Sequence, residues 1–139
     1  MTTVRIDRVL PGPPDRVWHA LTRPDALAAW FWPEQFDTTV TVDLRAGGQY
    51  RIAAGSPAMA VSGRYQDVTP PKRLVFTWRW DDDDAESLVT IDLADLGETT
   101  ELSLRHELLA GTQTGEDHAQ GWSDCLDRLP SWLIAVSSG

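Results

Sequence analysis

The chain has 139 residues, of which 21 are acidic and 12 are basic, so its formal net charge is −9. This length fits one domain, and the apolar fraction of 42% is typical of a globular protein and too high for a disordered one. The acidic balance argues against nucleic acid and against an anionic membrane surface as partners, because both are bound through basic patches.

The cysteine content and the N-terminal segment bear on the compartment. Cys125 is the only cysteine, which excludes an intramolecular disulfide and indicates a reducing environment. Residues 1–10 alternate charged with apolar side chains, so they do not form the apolar core of a signal peptide. No stretch is long enough to span a membrane. We therefore expect a cytoplasmic protein with one domain over residues 1–139.

The first forty residues predict one strand and two short helices. Apolar side chains at alternate positions within 4–10 indicate the strand. Pro14 suits the first turn of a helix, and residues 17, 18 and 21 follow at helical spacing. Thr22 is expected to cap a second short helix that has Pro24 near its start.

From Asp37 the pattern changes to a period of two and predicts about six antiparallel strands. Gly63 interrupts one of them and indicates either a bulge or a close approach of backbones. The clearest strand covers residues 74–80 and places four large apolar side chains on one face. These are Leu74, Phe76, Trp78 and Trp80.

The last part of the chain predicts one long helix. Its apolar stripe recurs at spacings of four and three. Pro130 lies inside this helix and is expected to bend or break it. Since no other long element is available to cover the sheet, the sheet is expected to curl around this helix. The stripe contains His118, Trp122, Cys125, Leu129, Trp132 and Val136.

Short segments spread over nearly the whole chain are weak signals singly but specific together. They are VWHALT (17–22), PDALAAW (24–30), DLRAGGQY (43–50), GRY (63–65), PPKRLVFTW (70–78), TTEL (99–102) and GW (121–122). In this order they resemble the START-like (SRPBCC) superfamily, and within it the AHSA-like family, named for the activator of the heat-shock protein 90 ATPase. The resemblance implies an α+β helix-grip fold, a curved antiparallel sheet of about six to seven strands around a long C-terminal helix. It also implies a pocket between them.

Members of that superfamily include ligand binders, cyclases and chaperone-linked proteins, so the fold leaves the function open. The leading hypothesis is binding of a small hydrophobic or aromatic ligand, because one face of the sheet is rich in tryptophan and the resemblance implies a pocket. We expect no cofactor and no metal. The candidate ligand-binding residues are Trp30, Phe31, Met59, Phe76, Trp78, Trp80, His106, His118, Trp122 and Cys125. Each aromatic residue in this set is alternatively a plain core residue. Tyr50 and Tyr65 either point their hydroxyls into the pocket or simply pack.

His106 is the polar residue on the inner face of its strand. It is either a hydrogen-bonded core histidine or the acid or base of a cyclase or hydrolase-type enzyme. Cys125 is either a small buried thiol or a nucleophile. His118 and Cys125 lie two helical turns apart, about 10 Å, which is too far for chelation without a third element between them. The acidic run 81–84 favours a solvated turn over a calcium site.

A third hypothesis is a chaperone-associated interaction protein. It ranks last, because the eukaryotic activators carry a further N-terminal domain and we expect none here. A homodimer stays open, because we expect tryptophans such as Trp32 to be exposed and able to meet a partner chain.

Overall fold

The computed structural model describes residues 2–55, 59–81, 86–108 and 115–137. Within these residues the chain forms seven strands and three α-helices in the predicted order, and a short 3-10 helix at Glu34–Phe36 that was not predicted. The strands are β1 (Thr2–Pro11), β2 (Thr38–Val42), β3 (Gln49–Ala54), β4 (Met59–Thr69), β5 (Arg73–Trp80), β6 (Ser87–Asp95) and β7 (Thr99–Leu108). The helices are α1 (Pro14–Thr22), α2 (Pro24–Trp30) and α3 (Gly115–Ser137).

The strands form one curved antiparallel sheet in the order β1-β7-β6-β5-β4-β3-β2, which confirms the predicted helix-grip fold. The first and last strands are neighbours, and Ile6 on β1 lies opposite Leu104 on β7. Alternate side chains of these strands are buried under α3. Arg8 also ties β1 to α3, because its Nη2 donates a hydrogen bond to Ser123 Oγ at 3.0 Å.

Helix α3 continues through Pro130 to Ser137, so of the two predicted effects of the proline a break is wrong, and a bend stays a prediction. Proline removes one backbone hydrogen bond and crowds the preceding turn. The flanking side chains of Leu129 and Leu133 are almost completely buried. We attribute the continuity of the helix to this burial, which opposes the local cost of the proline.

The predicted cap of α2 is also wrong. The Oγ1 of Thr22 donates a hydrogen bond to the carbonyl oxygen of Trp18 at 2.7 Å, inside α1. Arg23 occupies the N-cap position of α2 without a side-chain hydrogen bond. Pro24 is the first helical residue, where the absence of an N–H group costs nothing.

Gly63 marks a close approach between two strands. A Cβ atom at this position would fall on the carbonyl oxygen of Thr77 on the neighbouring β5. The irregularity in the pairing of β4 with β5 lies farther on, between Tyr65 and Asp67. Of the two predicted explanations for Gly63, the close approach is therefore the correct one.

Candidate functional site

A small apolar cavity of about 30 Å³ lies between the sheet and the helices. Residues from the helical segments that line it are Leu21, Leu27, Trp30, Phe31, Trp122 and Leu126. The sheet supplies Tyr50 and Ile52 from β3, Tyr65 from β4, Leu74, Phe76 and Trp78 from β5, Ile91 from β6 and Leu104 from β7. None of these described wall residues carries a charge at neutral pH.

The cavity is small because aromatic rings occupy most of the space between sheet and helix. Phe31 meets Trp122 edge to face with 5.8 Å between ring centroids, and Trp78 lies 5.0 Å from Trp122. The remaining volume leaves little room for anything larger than water. These aromatic residues therefore belong both to the core and to the cavity wall, so the two alternatives predicted for them do not exclude each other.

The structure separates the predicted site residues into groups. Those that line the cavity are Trp30, Phe31, Phe76, Trp78 and Trp122. Half-buried Met59 and Trp80 line a different depression, beside Arg51 and Asp81. His106 and Cys125 are buried but are not part of the cavity wall. The side chain of His118 and residues 82–84 of the acidic run lie outside the described residues. A role of any of these residues in binding stays a prediction.

Several wall residues were absent from the predicted ligand-binding set. For Leu74 and Ile91 a signal existed, since strand alternation places them on the inner face with Phe76. Leu21 and Leu27 carry no such signal, because only the packing of α1 and α2 over the sheet brings them to the cavity. Both tyrosines whose orientation was left open, Tyr50 and Tyr65, line it.

His106 is fully buried, and both of its ring nitrogens take part in hydrogen bonds. Its Nδ1 accepts from the indole N–H of Trp122 at 3.0 Å, and its Nε2 lies 2.6 Å from Ser87 Oγ. The ring also contacts Trp78, with 5.7 Å between centroids. This environment matches the hydrogen-bonded core histidine and offers no support for acid or base chemistry on a molecule in the cavity.

Cys125 has the properties of a buried thiol. Burial raises its pKa to about 12, and the nearby guanidinium of Arg128, with Nη2 3.6 Å from Sγ, offsets only part of that effect. The thiol is therefore protonated near neutral pH, whereas a nucleophilic cysteine requires the thiolate.

The two tyrosines of the wall are neutral as well. The hydroxyl of Tyr50 donates a hydrogen bond to the carbonyl oxygen of Thr77 at 2.6 Å. Burial raises the pKa of Tyr50 and that of Tyr65 well above the ordinary value of 10.0. The wall thus presents neutral groups throughout its described part.

Within the part of the chain that the structure describes, no three histidine, cysteine or acidic side chains are grouped so that they could hold a metal ion. No helix among the described residues is long and apolar enough to cross a membrane.

Solved structures with the same architecture include CV1439 from Chromobacterium violaceum, which is 34% identical with a TM-score of 0.80. The match covers 94% of this chain and 96% of that one. CalU16 from Micromonospora echinospora is 27% identical, with a TM-score of 0.73 and coverage of 94% and 75%. DynU16, from the dynemicin biosynthetic locus, is 27% identical with a TM-score of 0.80, and the match covers 95% of this chain but 47% of that one. No protein of curated function matches this sequence.

The sequence also matches a family model over most of its length. Residues 11–133 match the family described as Activator of Hsp90 ATPase homolog 1-like protein. The matched range runs from the end of β1 to Leu133 in α3, so it includes every described residue of the cavity wall. The chain therefore belongs to the Activator of Hsp90 ATPase homolog 1-like family.

Proposed function

We propose that this protein binds a small, uncharged hydrophobic or aromatic molecule between the sheet and the C-terminal helix. The observation that carries the proposal is the cavity wall, which draws on both sheet and helices and has no charged side chain in its described part. Burial of apolar surface supplies the free energy of binding, about 25 cal/mol per Å². A charged ligand would lose its hydration there without gaining a partner.

The volume of the cavity determines how binding would proceed. At about 30 Å³ it is far smaller than a benzene ring requires, since a cavity of roughly 150 Å³ holds benzene. A ligand must therefore displace wall side chains as it enters. Phe31, which directly follows α2 and contacts Trp122 edge to face, is the ring we expect to move. The contact between Phe31 and Trp122 would then be replaced by a contact of the ligand with the wall.

The likeness to DynU16 supports including natural products among the candidate ligands, because that protein is described as part of the dynemicin biosynthetic locus. The chemical character of the wall is the better guide, and it favours neutral molecules with flat or compact apolar surfaces.

Thermal-shift and native mass-spectrometry measurements with aromatic polyketides, sterols and fatty acids test the proposal. A ligand at one hundred times its Kd stabilises the folded state by about 2.7 kcal/mol, which is readily seen as a rise in Tm. Leu126→Phe, which adds a ring at the wall, should reduce the rise. Ile134→Phe on the exposed side of the same helix serves as the matched control. Bare protein in every spectrum and no change in Tm would reject the proposal.

A further inference from the structure

The cavity wall contains three tryptophans whose indole N–H groups differ in their partners. Trp30 donates to the carbonyl oxygen of Ala20 at 2.8 Å. Trp122 donates to Nδ1 of His106 at 3.0 Å. The Nε1 of Trp78 is buried and has no hydrogen-bond partner among the described residues.

Such a donor is unusual, because buried N–H groups are nearly always paired and an unpaired one destabilises the folded state. Trp78 is only 5% exposed and packs against the rings of Trp80, His106 and Trp122. The acceptor atom of the neighbouring histidine, Nδ1, is already used by Trp122. The described residues around Trp78 therefore leave its N–H without a partner at a position that forms part of the cavity wall.

We infer that the ligand carries an uncharged hydrogen-bond acceptor, such as a carbonyl or ether oxygen, and that the indole N–H of Trp78 donates to it. This inference rests on the proposed function. An ionised acceptor is excluded because the described wall has no cation to balance it. A pure hydrocarbon would fill the cavity but would leave the donor unpaired. For this hydrogen bond to form, the neighbouring rings must uncover the buried Nε1 atom when they move to admit a ligand.

Acetophenone and ethylbenzene are suitable probes, because they have nearly the same shape and differ by a carbonyl group in place of a methylene group. In a purely apolar cavity the ketone would bind more weakly than the hydrocarbon, since its oxygen loses hydrogen bonds to water. We expect the unmodified protein to bind acetophenone at least as tightly as ethylbenzene. We also expect the indole proton of Trp78 to shift downfield in NMR spectra with acetophenone and to lack that shift with ethylbenzene.

Substitutions at the wall assign the effect to one donor. Trp78→Phe keeps a ring and removes the N–H, so the preference for the ketone over the hydrocarbon should fall about tenfold. Trp30→Phe is the matched control, because it also replaces a wall tryptophan but one whose N–H already has a partner. Tyr65→Phe removes a hydroxyl from the wall without touching the indole N–H of Trp78, and it should leave the preference unchanged.

The outcomes separate the two proposals. Binding of both probes with ethylbenzene clearly preferred, and the same preference in Trp78→Phe, overturns the inference while leaving the binding function in place. Loss of the ketone preference in Tyr65→Phe instead of Trp78→Phe overturns the assignment to Trp78. If neither probe binds, the inference fails, whereas the proposed function is contradicted only if the polyketides, sterols and fatty acids also fail to bind.

Discussion

The indole N–H of Trp122 donates to Nδ1 of His106 across 3.0 Å, and this contact determines the tautomer of the histidine. An indole nitrogen is only a donor, so Nδ1 carries no proton and the proton of the neutral ring lies on Nε2. Nε2 then donates to Ser87 Oγ at 2.6 Å, and the serine hydroxyl donates to the carbonyl oxygen of Trp78 at 3.1 Å. This hydrogen-bond chain joins β5, β6, β7 and α3 beside the cavity.

The hydrogen-bond chain predicts that removing the His106 side chain greatly lowers the stability of the fold. His106→Ala leaves Trp122 and Ser87 without their partner and opens a void, so it should lower the free energy of unfolding by about 4 kcal/mol. His106→Phe restores the volume but not the hydrogen bonds and should cost about 2 kcal/mol. Urea denaturation measures both. His19→Ala on the exposed side of α1 is the control and should change stability by less than about 0.5 kcal/mol. Equal effects at positions 106 and 19 would show that the hydrogen-bond chain does not contribute to the free energy of unfolding.

Arg128 holds the C-terminal end of α2 against α3. Its Nε and Nη2 donate to the carbonyl oxygens of Trp30 and Phe31 at 3.1 and 2.6 Å. Arg128→Met keeps the apolar stem but loses these charge-assisted bonds, so stability should fall by about 2 kcal/mol. The amide of Phe31 should also exchange its hydrogen faster, as measured by NMR.

Two controls belong with Arg128→Met. Arg128→Lys keeps the charge with a single donor group and should give an intermediate loss. Arg45→Met breaks an exposed pair with Asp43 and should cost no more than about 0.5 kcal/mol. Unchanged exchange at Phe31 in Arg128→Met would contradict a holding role for the guanidinium.

Two glycines give opposite predictions for the same substitution. Gly63→Ala places a Cβ on the carbonyl oxygen of Thr77 and must push β4 away from β5, so it should cost at least about 3 kcal/mol. Gly121→Ala lies in α3 with open space around the new Cβ and should raise stability by about 0.5–1 kcal/mol. Thermal unfolding of both variants is the measurement. A stable Gly63→Ala protein would contradict the close approach at this position.

The two buried tyrosines predict a loss of stability at alkaline pH. Burial raises the pKa of Tyr50 and Tyr65 above 10.0, so the unfolded chain releases these protons first. The contribution of the two protonated tyrosines to the free energy of unfolding is complete below pH 10 and falls as the pH rises above it. Since the chain has only 2 tyrosines, tyrosinate absorbance near 295 nm should appear together with unfolding. Tyrosinate at about pH 10 in a protein with native tryptophan fluorescence would contradict this expectation.

Much of the cavity wall follows from local periodicity. Alternation along β5 places Phe76 and Trp78 on the inner face, and the stripe of α3 places Trp122 toward the sheet. The inner position of His106 was predicted in the same way. Its partners were not, because Ser87 and Trp122 lie 19 and 16 residues away along the chain and only the packed sheet and helix bring them to its two nitrogens.

The sequence by itself determined the order of the elements and the inner face of the clearest strand, β5, because these depend on spacing within a few residues. The family followed from the resemblance of short segments spread over nearly the whole chain. Tertiary structure alone decided that the cavity between sheet and helices amounts to about 30 Å³ and that Gly63 meets the backbone of β5. It also decided that Trp78 is the wall tryptophan whose N–H has no partner among the described residues. Each of these features depends on how backbone and side chains of elements far apart in the chain pack against one another. Local patterns of apolar and polar residues carry no information about such packing.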